Sequence, residues 1–196
     1  MCVGGWFLPP HRSPMPANLI SRLFRKKPIK VAARALYDQL SLAARNPDLY
    51  GEGRVPDSPD GRFEMLALHA SVLFSRLSKR GDQAEETSQE VFNIMFSALD
   101  HALRELGVGD LSVGKRIRKL AESFYGRMAV YTGTLQLPED EQLGVLAEAI
   151  SVHVLEKDPA ARGFATELAS RIRDWTLDLQ GVADETLLRG ELPLPR

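Results

Sequence analysis

The chain has 196 residues, and its 25 lysines and arginines nearly balance 26 aspartates and glutamates, so the formal net charge at pH 7 is −1. Hydrophobic residues make up 44% and charged residues 26%, which excludes a disordered polyelectrolyte, a collagen-like fibre and a strongly basic protein that coats nucleic acid. The single cysteine, Cys2, excludes an internal disulfide and any multi-cysteine zinc or iron–sulfur site, and favours a reducing compartment.

The N-terminal part of the chain is basic. Residues 1–45 hold eight Lys or Arg and one acidic residue, so they carry +7 and the remainder carries −8. This excess of positive charge indicates an anionic partner, such as lipid headgroups, RNA or an acidic protein surface. The other interpretation is a solvated tail. The basic residues expected to contact a membrane or ribosome are Arg22, Arg25, Lys26, Lys27 and Lys30.

The first eleven residues, MCVGGWFLPPH, lack the basic start and the long apolar centre of a secretory signal. We expect a disordered leader, or sequence upstream of a start at Met15. Nowhere does an uncharged run approach the roughly 20 apolar residues that a membrane-spanning helix needs. The sequence therefore predicts a protein that stays in the cytoplasm.

Helical periodicity covers most of the remaining chain. A first helix is predicted over residues 28–45, and a loop rich in Pro, Gly and Asp follows it over 46–60. Ser58 and Pro59 are a typical start for the second helix, and Gly81 a typical end. The third helix begins near Asp82, and its predicted buried stripe comprises Val91, Met95, Ala98, Leu99, Ala102 and Leu106.

A glycine-rich turn at residues 107–114 separates the third helix from the fourth, and further helices are predicted from Glu139 and from Asp158. No window alternates polar and apolar residues as a strand would. We therefore predict an all-α fold, a single helical domain of about six helices over residues 28–182. A flexible basic arm (1–27) and a C-terminal tail (183–196) flank it.

The sequence offers little for catalysis. His101 and Glu105 lie one turn apart on the third helix, but two ligands alone make a weak metal site, and a surface or interhelical hydrogen-bonding pair is favoured. His69 is interpreted as a partly buried, hydrogen-bonded histidine. The run from Gly109 to Lys115 lacks the following Ser or Thr and the preceding strand of a phosphate-binding loop. We predict no enzyme, no catalytic or metal-binding residue and no cofactor.

Two further features of the fourth helix leave alternatives open. Its basic run, Lys115–Lys119, predicts contact with RNA or anionic lipid, or a solvated helical face, which is favoured. Gly126 costs stability inside a helix, so another helix of the domain or a bound partner segment is expected to approach its backbone closely.

Two stretches of the chain resemble the ubiquinol–cytochrome c chaperone family. The first comprises residues 45–50 and 55–64 (RNPDLY and VPDSPDGRFE), and the second, more specific one comprises Met95, Phe96, Asp100 and residues 103–110, 113–115 and 124–127. The basic start at residues 21–28 is also similar to bacterial members. The resemblance is strong from 21 to 131 and weak as far as 179.

The resemblance implies a non-enzymatic assembly factor of the cytochrome bc1 complex that binds newly made cytochrome b. It implies a bacterial cytoplasmic protein, peripheral at the inner face of the inner membrane, whose further partners are the ribosome, an anionic membrane surface or a small partner protein, and not DNA. The residues it assigns to client contact are Phe63, His69, Asp100, Arg104, Lys115, Phe124, Tyr125 and Arg127. The alternative is a helical RNA- or ribosome-binding regulator acting through residues 22–34 and 115–119.

Overall fold

The structure is a computed structural model that describes residues 17–195, with side chains described from residue 27 onwards, apart from that of Leu111. The leader of residues 1–16 lies outside the described residues, as do the side chains of Arg22, Arg25 and Lys26. What the sequence predicts for them stays a prediction.

The described residues form seven α-helices and no strand, which confirms the all-α prediction. Two short 3₁₀ turns (47–49 and 159–161) and one isolated bridge between Tyr50 and Val55 complete the secondary structure of this part of the chain. The helices are α1 Ala17–Ala44, α2 Pro59–Leu77, α3 Asp82–Glu105, α4 Asp110–Thr134, α5 Glu139–His153, α6 Arg162–Gln180 and α7 Asp184–Leu188.

Helix α1 is longer than predicted. It begins at Ala17, and Pro28, the predicted start, lies inside it with its side chain exposed. Proline is favoured at the first helical position, because the N–H that it lacks would have no partner within the helix there, and this preference favours Pro28 as a start. Inside a helix the same residue costs one hydrogen bond to the preceding turn. The apolar residues before Pro28 (Leu19, Ile20, Leu23 and Phe24) are spaced by three and four, as in a helix, and agree with the earlier start.

Helix α2 lies at the centre of the fold. The sequence predicts one apolar face that includes Phe63, Leu66 and Leu73, and these side chains are buried. Met65 and Leu68, on other sides of the helix, are buried as well, because α1, α3, α4 and α6 all pack against α2. A helix that is apolar around most of its circumference occupies the core rather than the surface.

The C-terminal residues pack against α1, although the sequence predicts only a loop there. Helix α7 has five residues, too few for a helical period to be recognised. The Gln39 side chain donates to the carbonyl oxygen of Gly190 (2.7 Å) and accepts from the Leu192 amide (3.0 Å). The Trp175 indole nitrogen donates to the carbonyl oxygen of Pro193 (2.6 Å). These bonds attach the end of the chain to α1 and α6.

The second half of α3 and the first half of α4 form a hairpin that other helices leave largely uncovered. The predicted buried stripe of α3 holds for Val91 and Met95, but it is wrong for Ala102, which is exposed, and for Leu106, which is 66% exposed. An apolar stripe shows which face of a helix avoids water but not whether another element covers that face. This hairpin forms one wall of the groove described next.

Candidate functional site

An open groove of about 900 Å³ lies between the start of α2 and the α3–α4 hairpin; we call it the main groove. Leucines of α3 and α4 and the first apolar residues of α2 provide its apolar surface: Phe63, Leu66, Leu99, Leu103, Leu106 and Leu120. Charged side chains surround it: Arg45, Asp57, Asp60, Arg62, Glu64, Glu105, Arg116 and Lys119. An apolar centre with a charged rim is the usual anatomy of a surface that binds a polypeptide.

The loop before α2 holds one side of the main groove in place. Ser58 caps α2 by accepting a hydrogen bond from the Gly61 amide (3.1 Å), and the Tyr50 hydroxyl donates to the carbonyl oxygen of Ala44 at the end of α1 (2.6 Å). A Cβ added at Gly61 would lie 2.2 Å from the carbonyl oxygen of Pro56. Only glycine therefore allows the backbone of this loop to pass so close to the first turn of α2.

An ion pair connects the second half of α4 to α2 beside the main groove. The guanidinium of Arg127 donates two hydrogen bonds to the Glu64 carboxylate, at 2.8 and 2.9 Å. Burial raises the pKa of Glu64 despite the opposing effect of Arg127, while the bond to Glu64 raises the pKa of Arg127. The Tyr131 hydroxyl is buried without a hydrogen-bond partner, and burial raises its pKa. The two hydrogen bonds between Arg127 and Glu64 join α4 to α2.

Replacing Arg127 with alanine is expected to lower the free energy of unfolding by about 3 kcal/mol, because Glu64 would remain mostly buried without its partner. Arg104 provides the matched control, since it pairs with Asp100 at 2.7 Å and also with Asp110 on an exposed surface. Its replacement by alanine is expected to cost far less, because water screens an exposed pair and solvates the partner that remains. Urea denaturation of both variants measures the difference, and equal losses would contradict this assignment.

The structure distributes the predicted client-contact residues over several places. Phe63 lines the main groove, whereas Asp100, Arg104 and Lys115 lie on the outer surface of the hairpin. These three side chains do not line the main groove, so a client bound there would contact them only if it extended past the groove.

The two remaining aromatic residues of that set lie at the other end of α2. Phe124 is 1% exposed and packs edge-on against Phe74 and Phe96, with ring centroids 5.9 Å apart in each pair. Tyr125 is 52% exposed and stacks on Phe92 at 5.5 Å. Phe124 therefore supports the fold, and Tyr125 belongs to a second groove.

His69 is part of the core, as its interpretation from the sequence suggests. Its side chain is 2% exposed, its Nδ1 donates to the carbonyl oxygen of Met65 (2.8 Å), and its ring lies 5.5 Å from that of Trp175. Burial lowers the pKa of His69 from 6.5 to about 4, with the bond to Met65 opposing and the charge of Arg171 adding to the shift. The imidazole is neutral at pH 7.

Lowering the pH from 7 to 5 is expected to reduce the free energy of unfolding by about 2 kcal/mol through His69 alone. Between the folded pKa near 4 and the unfolded pKa of 6.5 the unfolded chain binds the extra proton, so stability is complete above this window and is lost as the pH falls through it. Urea midpoints at both pH values check this. A His69→Gln variant should show a smaller pH dependence, and an unchanged dependence would contradict the assignment.

The remaining candidates from the sequence give no reacting or ligand-binding centre within the part of the chain that the structure describes. His101 and Glu105 are both exposed, and among the described residues no group of three or more His, Cys, Asp or Glu side chains is placed to hold a metal ion. Gly126 faces open space, with no neighbouring atom within 4 Å of an added Cβ, so the predicted approach of another helix is wrong. Of the basic run on α4, Arg116 and Lys119 line the main groove.

The most prominent apolar residues of the site are ones that sequence reasoning does not identify. The helical stripe places Leu99 and Leu106 in the core, because they continue the spacing of Val91 and Met95, and it leaves out Leu103. The signal that distinguishes them is the glycine-rich turn directly after Leu106. No other described element covers this turn, so the end of α3 and the start of α4, which it connects, are exposed to solvent.

No described helix is both long enough and apolar enough to cross a membrane. The described residues define an all-α protein with an open apolar groove and a charged rim. Residues 52–194 match the family described as ubiquinol-cytochrome C chaperone, and the chain belongs to this family, which confirms the resemblance. Among solved structures it is similar to the Cbp3 homolog from Brucella abortus, at 31% identity and a TM-score of 0.78, over 90% of this chain and 97% of that one. No curated protein matches it.

Family membership identifies the chain as an assembly chaperone for the ubiquinol–cytochrome c reductase (bc1) complex and implies a role in assembly rather than in catalysis. The alternative, an RNA- or ribosome-binding regulator, finds no support in these similarities.

Proposed function

We propose that the chain binds newly made or unassembled cytochrome b in the main groove and holds it until the bc1 complex assembles. The observation that carries the proposal is the row of leucines on the uncovered half of α3, which ends in Leu106 at 66% exposure. Apolar side chains that the fold itself does not bury favour the binding of a partner's apolar surface.

The main groove suits one apolar helix of the client. Leu99, Leu103 and Leu106 are spaced by four and three residues, so they project from one side of α3. Phe63 and Leu66 repeat a spacing of three across the groove on α2. A helix laid between such rows places its own side chains at i, i+3, i+4 and i+7 into the spaces between them.

The charged rim would set the orientation of the bound segment. Glu105 and Asp60 provide negative charge, and Arg116 and Lys119 provide positive charge on the α4 side. Cytoplasmic ends of membrane helices are rich in lysine and arginine, so these ends would lie towards the carboxylates. Such charges contribute more to orientation and association rate than to affinity.

The exposed basic residues of α1 would hold the chaperone near the place where its client is inserted. The side chains of Lys27 and Lys30 are exposed. The Lys30 Nζ lies 3.9 Å from the Glu90 Oε1, in an ion pair that is accessible to solvent. Each basic residue near an anionic membrane contributes about 1 kcal/mol. Arg22, Arg25 and Lys26 would add to this attraction, which also suits a ribosome surface.

Deletion of the gene in the source cell tests the proposed function. We expect the difference spectrum to lose the cytochromes of the bc1 complex, and quinol oxidation to fall with it. Wild-type chain should restore both, and a chain with Leu103→Glu and Leu106→Glu should not. Leu177→Glu is the control, since Leu177 is 50% exposed on α6 and away from the main groove. Intact spectra in the deletion strain would contradict the proposal.

A further inference from the structure

A separate pocket of about 240 Å³ lies between the end of α1 with the turn that follows it, the middle of α6 and the last described residues of the chain. We call it the tail pocket. Its walls are apolar side chains from these elements: Leu42, Leu49, Leu168, Ile172, Leu194 and Pro195. A cavity of about 150 Å³ is large enough to hold benzene, so the tail pocket has room for one aromatic side chain.

The C-terminal wall of the tail pocket is held in place by hydrogen bonds. The Gln39 side chain accepts from the Leu192 amide (3.0 Å), and the Trp175 indole nitrogen donates to the carbonyl oxygen of Pro193 (2.6 Å). Residues 194 and 195, which line the pocket, follow these two attachments directly. The pocket is therefore formed by the folded chain before any ligand binds.

One buried polar side chain, His69, lines the tail pocket. Its Nδ1 donates to the carbonyl oxygen of Met65, so Nε2 of the neutral imidazole carries a free lone pair. Within the described residues no group donates to Nε2. The buried side-chain atoms there that lack both a partner and accessible surface are the Arg76 Nη1 and the Tyr131 hydroxyl. Nε2 is therefore accessible from the pocket.

An apolar pocket with one buried acceptor matches the side chains of tryptophan and tyrosine. Each combines an apolar ring with a single N–H or O–H donor, and that donor usually finds a partner when the ring is buried. A phenylalanine or leucine side chain would fill the same space but leave the His69 Nε2 enclosed without a donor, which weakens binding. The tail pocket therefore favours an indole or phenol ring over a purely apolar side chain.

The tail pocket adjoins the main groove. Arg45, an exposed residue at the end of α1, lines both. Among the described residues, the charged lining of the tail pocket consists of Arg45 and Arg171, without a carboxylate. Complementary charge therefore disfavours a basic residue beside the bound ring and favours an acidic one. A polypeptide in the main groove can continue past Arg45 into the tail pocket.

We propose that the tail pocket binds a tryptophan or tyrosine side chain of the client, whose N–H or O–H donates to the His69 Nε2. This inference rests on the proposed function, in which an apolar helix of cytochrome b lies in the main groove. Membrane-spanning helices carry tryptophan and tyrosine where they leave the hydrocarbon, so such a ring comes directly after the apolar stretch. The tail pocket recognises the end of a membrane helix and sets how far that helix extends along the groove.

Photocrosslinking of the full-length chain to cytochrome b made by cell-free translation tests which part of the client lies here. A photoreactive residue at position 42, on the rim of the tail pocket, is expected to form an adduct next to a tryptophan or tyrosine of cytochrome b, as mapped by mass spectrometry. Position 31 is the matched control. Val31 is 64% exposed and Leu42 is 68% exposed, and both lie on α1, but Val31 is outside the pocket and should form no adduct.

The outcome at position 106 separates this inference from the proposed function. An adduct at 106 with none at 42 would overturn the inference and leave the proposed function intact, whereas no adduct at either position would contradict both. Equal adducts at 31 and 42, or an adduct at 42 that maps to a client segment without tryptophan or tyrosine, would also overturn the inference.

Small molecules test the tail pocket without any client. Indolepropionate supplies the ring, the N–H donor and a carboxylate for Arg45, and it is expected to shift the ¹⁵N signal of the His69 Nε2. Its N-methyl derivative lacks the donor and is expected to bind at least about tenfold more weakly. Arg45→Gln should weaken indolepropionate binding, and Val31→Ser, the control, should leave it unchanged.

Two results with these probes would overturn the assignment of His69. The first is equal affinity for indolepropionate and its N-methyl derivative, because a histidine that only supports the core does not distinguish them. The second is a His69 signal that neither compound shifts.

Discussion

Replacing Gly61 with alanine is expected to lower the free energy of unfolding by about 3 kcal/mol, at the upper end of what overpacking costs. The added methyl group would lie 2.2 Å from the carbonyl oxygen of Pro56 and 3.3 Å from the Val55 side chain. Since the close neighbour is backbone, either the first turn of α2 or the loop before it has to move. Urea denaturation followed by circular dichroism measures the loss.

Gly126 is the matched control for this substitution. It also lies within a helix, α4, but no neighbouring atom lies within 4 Å of an added Cβ. Gly126→Ala is therefore expected to raise the free energy of unfolding by about 0.5–1 kcal/mol, because alanine has the higher helix propensity. Effects of the same sign for the two variants would contradict the close approach described for Gly61.

The second large effect concerns binding. Changing Leu103 and Leu106 together to glutamate is expected to weaken the binding of cytochrome b by at least about 100-fold. Each leucine buried against a client contributes about 1.5–3 kcal/mol, and every 1.4 kcal/mol is a factor of ten in affinity. The measurement is co-purification of cytochrome b, made by cell-free translation, with the tagged chaperone over a range of concentrations.

Loss of folding is not expected in this double variant, because Leu106 is largely exposed and Leu103 is only partly buried. Its urea midpoint should remain close to that of the wild type. Leu177→Glu introduces the same charge on α6 and should leave binding unchanged. Wild-type affinity in the double variant would exclude the main groove as the client site.

The order of the helices was predictable because their boundaries have strong local causes. Ser58 and Pro59 begin α2, as the capping pattern indicates, whereas α3 begins at Asp82 after Gly81 and has no side-chain cap. The early start of α1 was not predicted, because Pro28 satisfies the pattern of a first helical residue. The helical spacing of the apolar residues at 19, 20, 23 and 24 is the signal that indicates helix before it.

The candidate site was less predictable than the fold. It forms where no other described helix covers the apolar face of α3, and the sequence does not show which part of that face stays uncovered. The periodicity that includes Leu106 is the same periodicity that buries Met95, and only the three-dimensional arrangement separates them. The ion pair of Arg127 with Glu64 joins residues 63 positions apart. A family resemblance marks both residues, but sequence alone does not show that they contact each other.

The most direct test of client binding is site-specific photocrosslinking during synthesis of cytochrome b. A photoreactive residue at position 106 is expected to form an adduct with cytochrome b, and one at position 177 is expected to form none. An adduct at 106 that disappears once the bc1 complex has assembled would agree with a transient chaperone. A chain that forms no adduct at 106 with cytochrome b, but binds RNA with a steep dependence on salt, would contradict the proposed function.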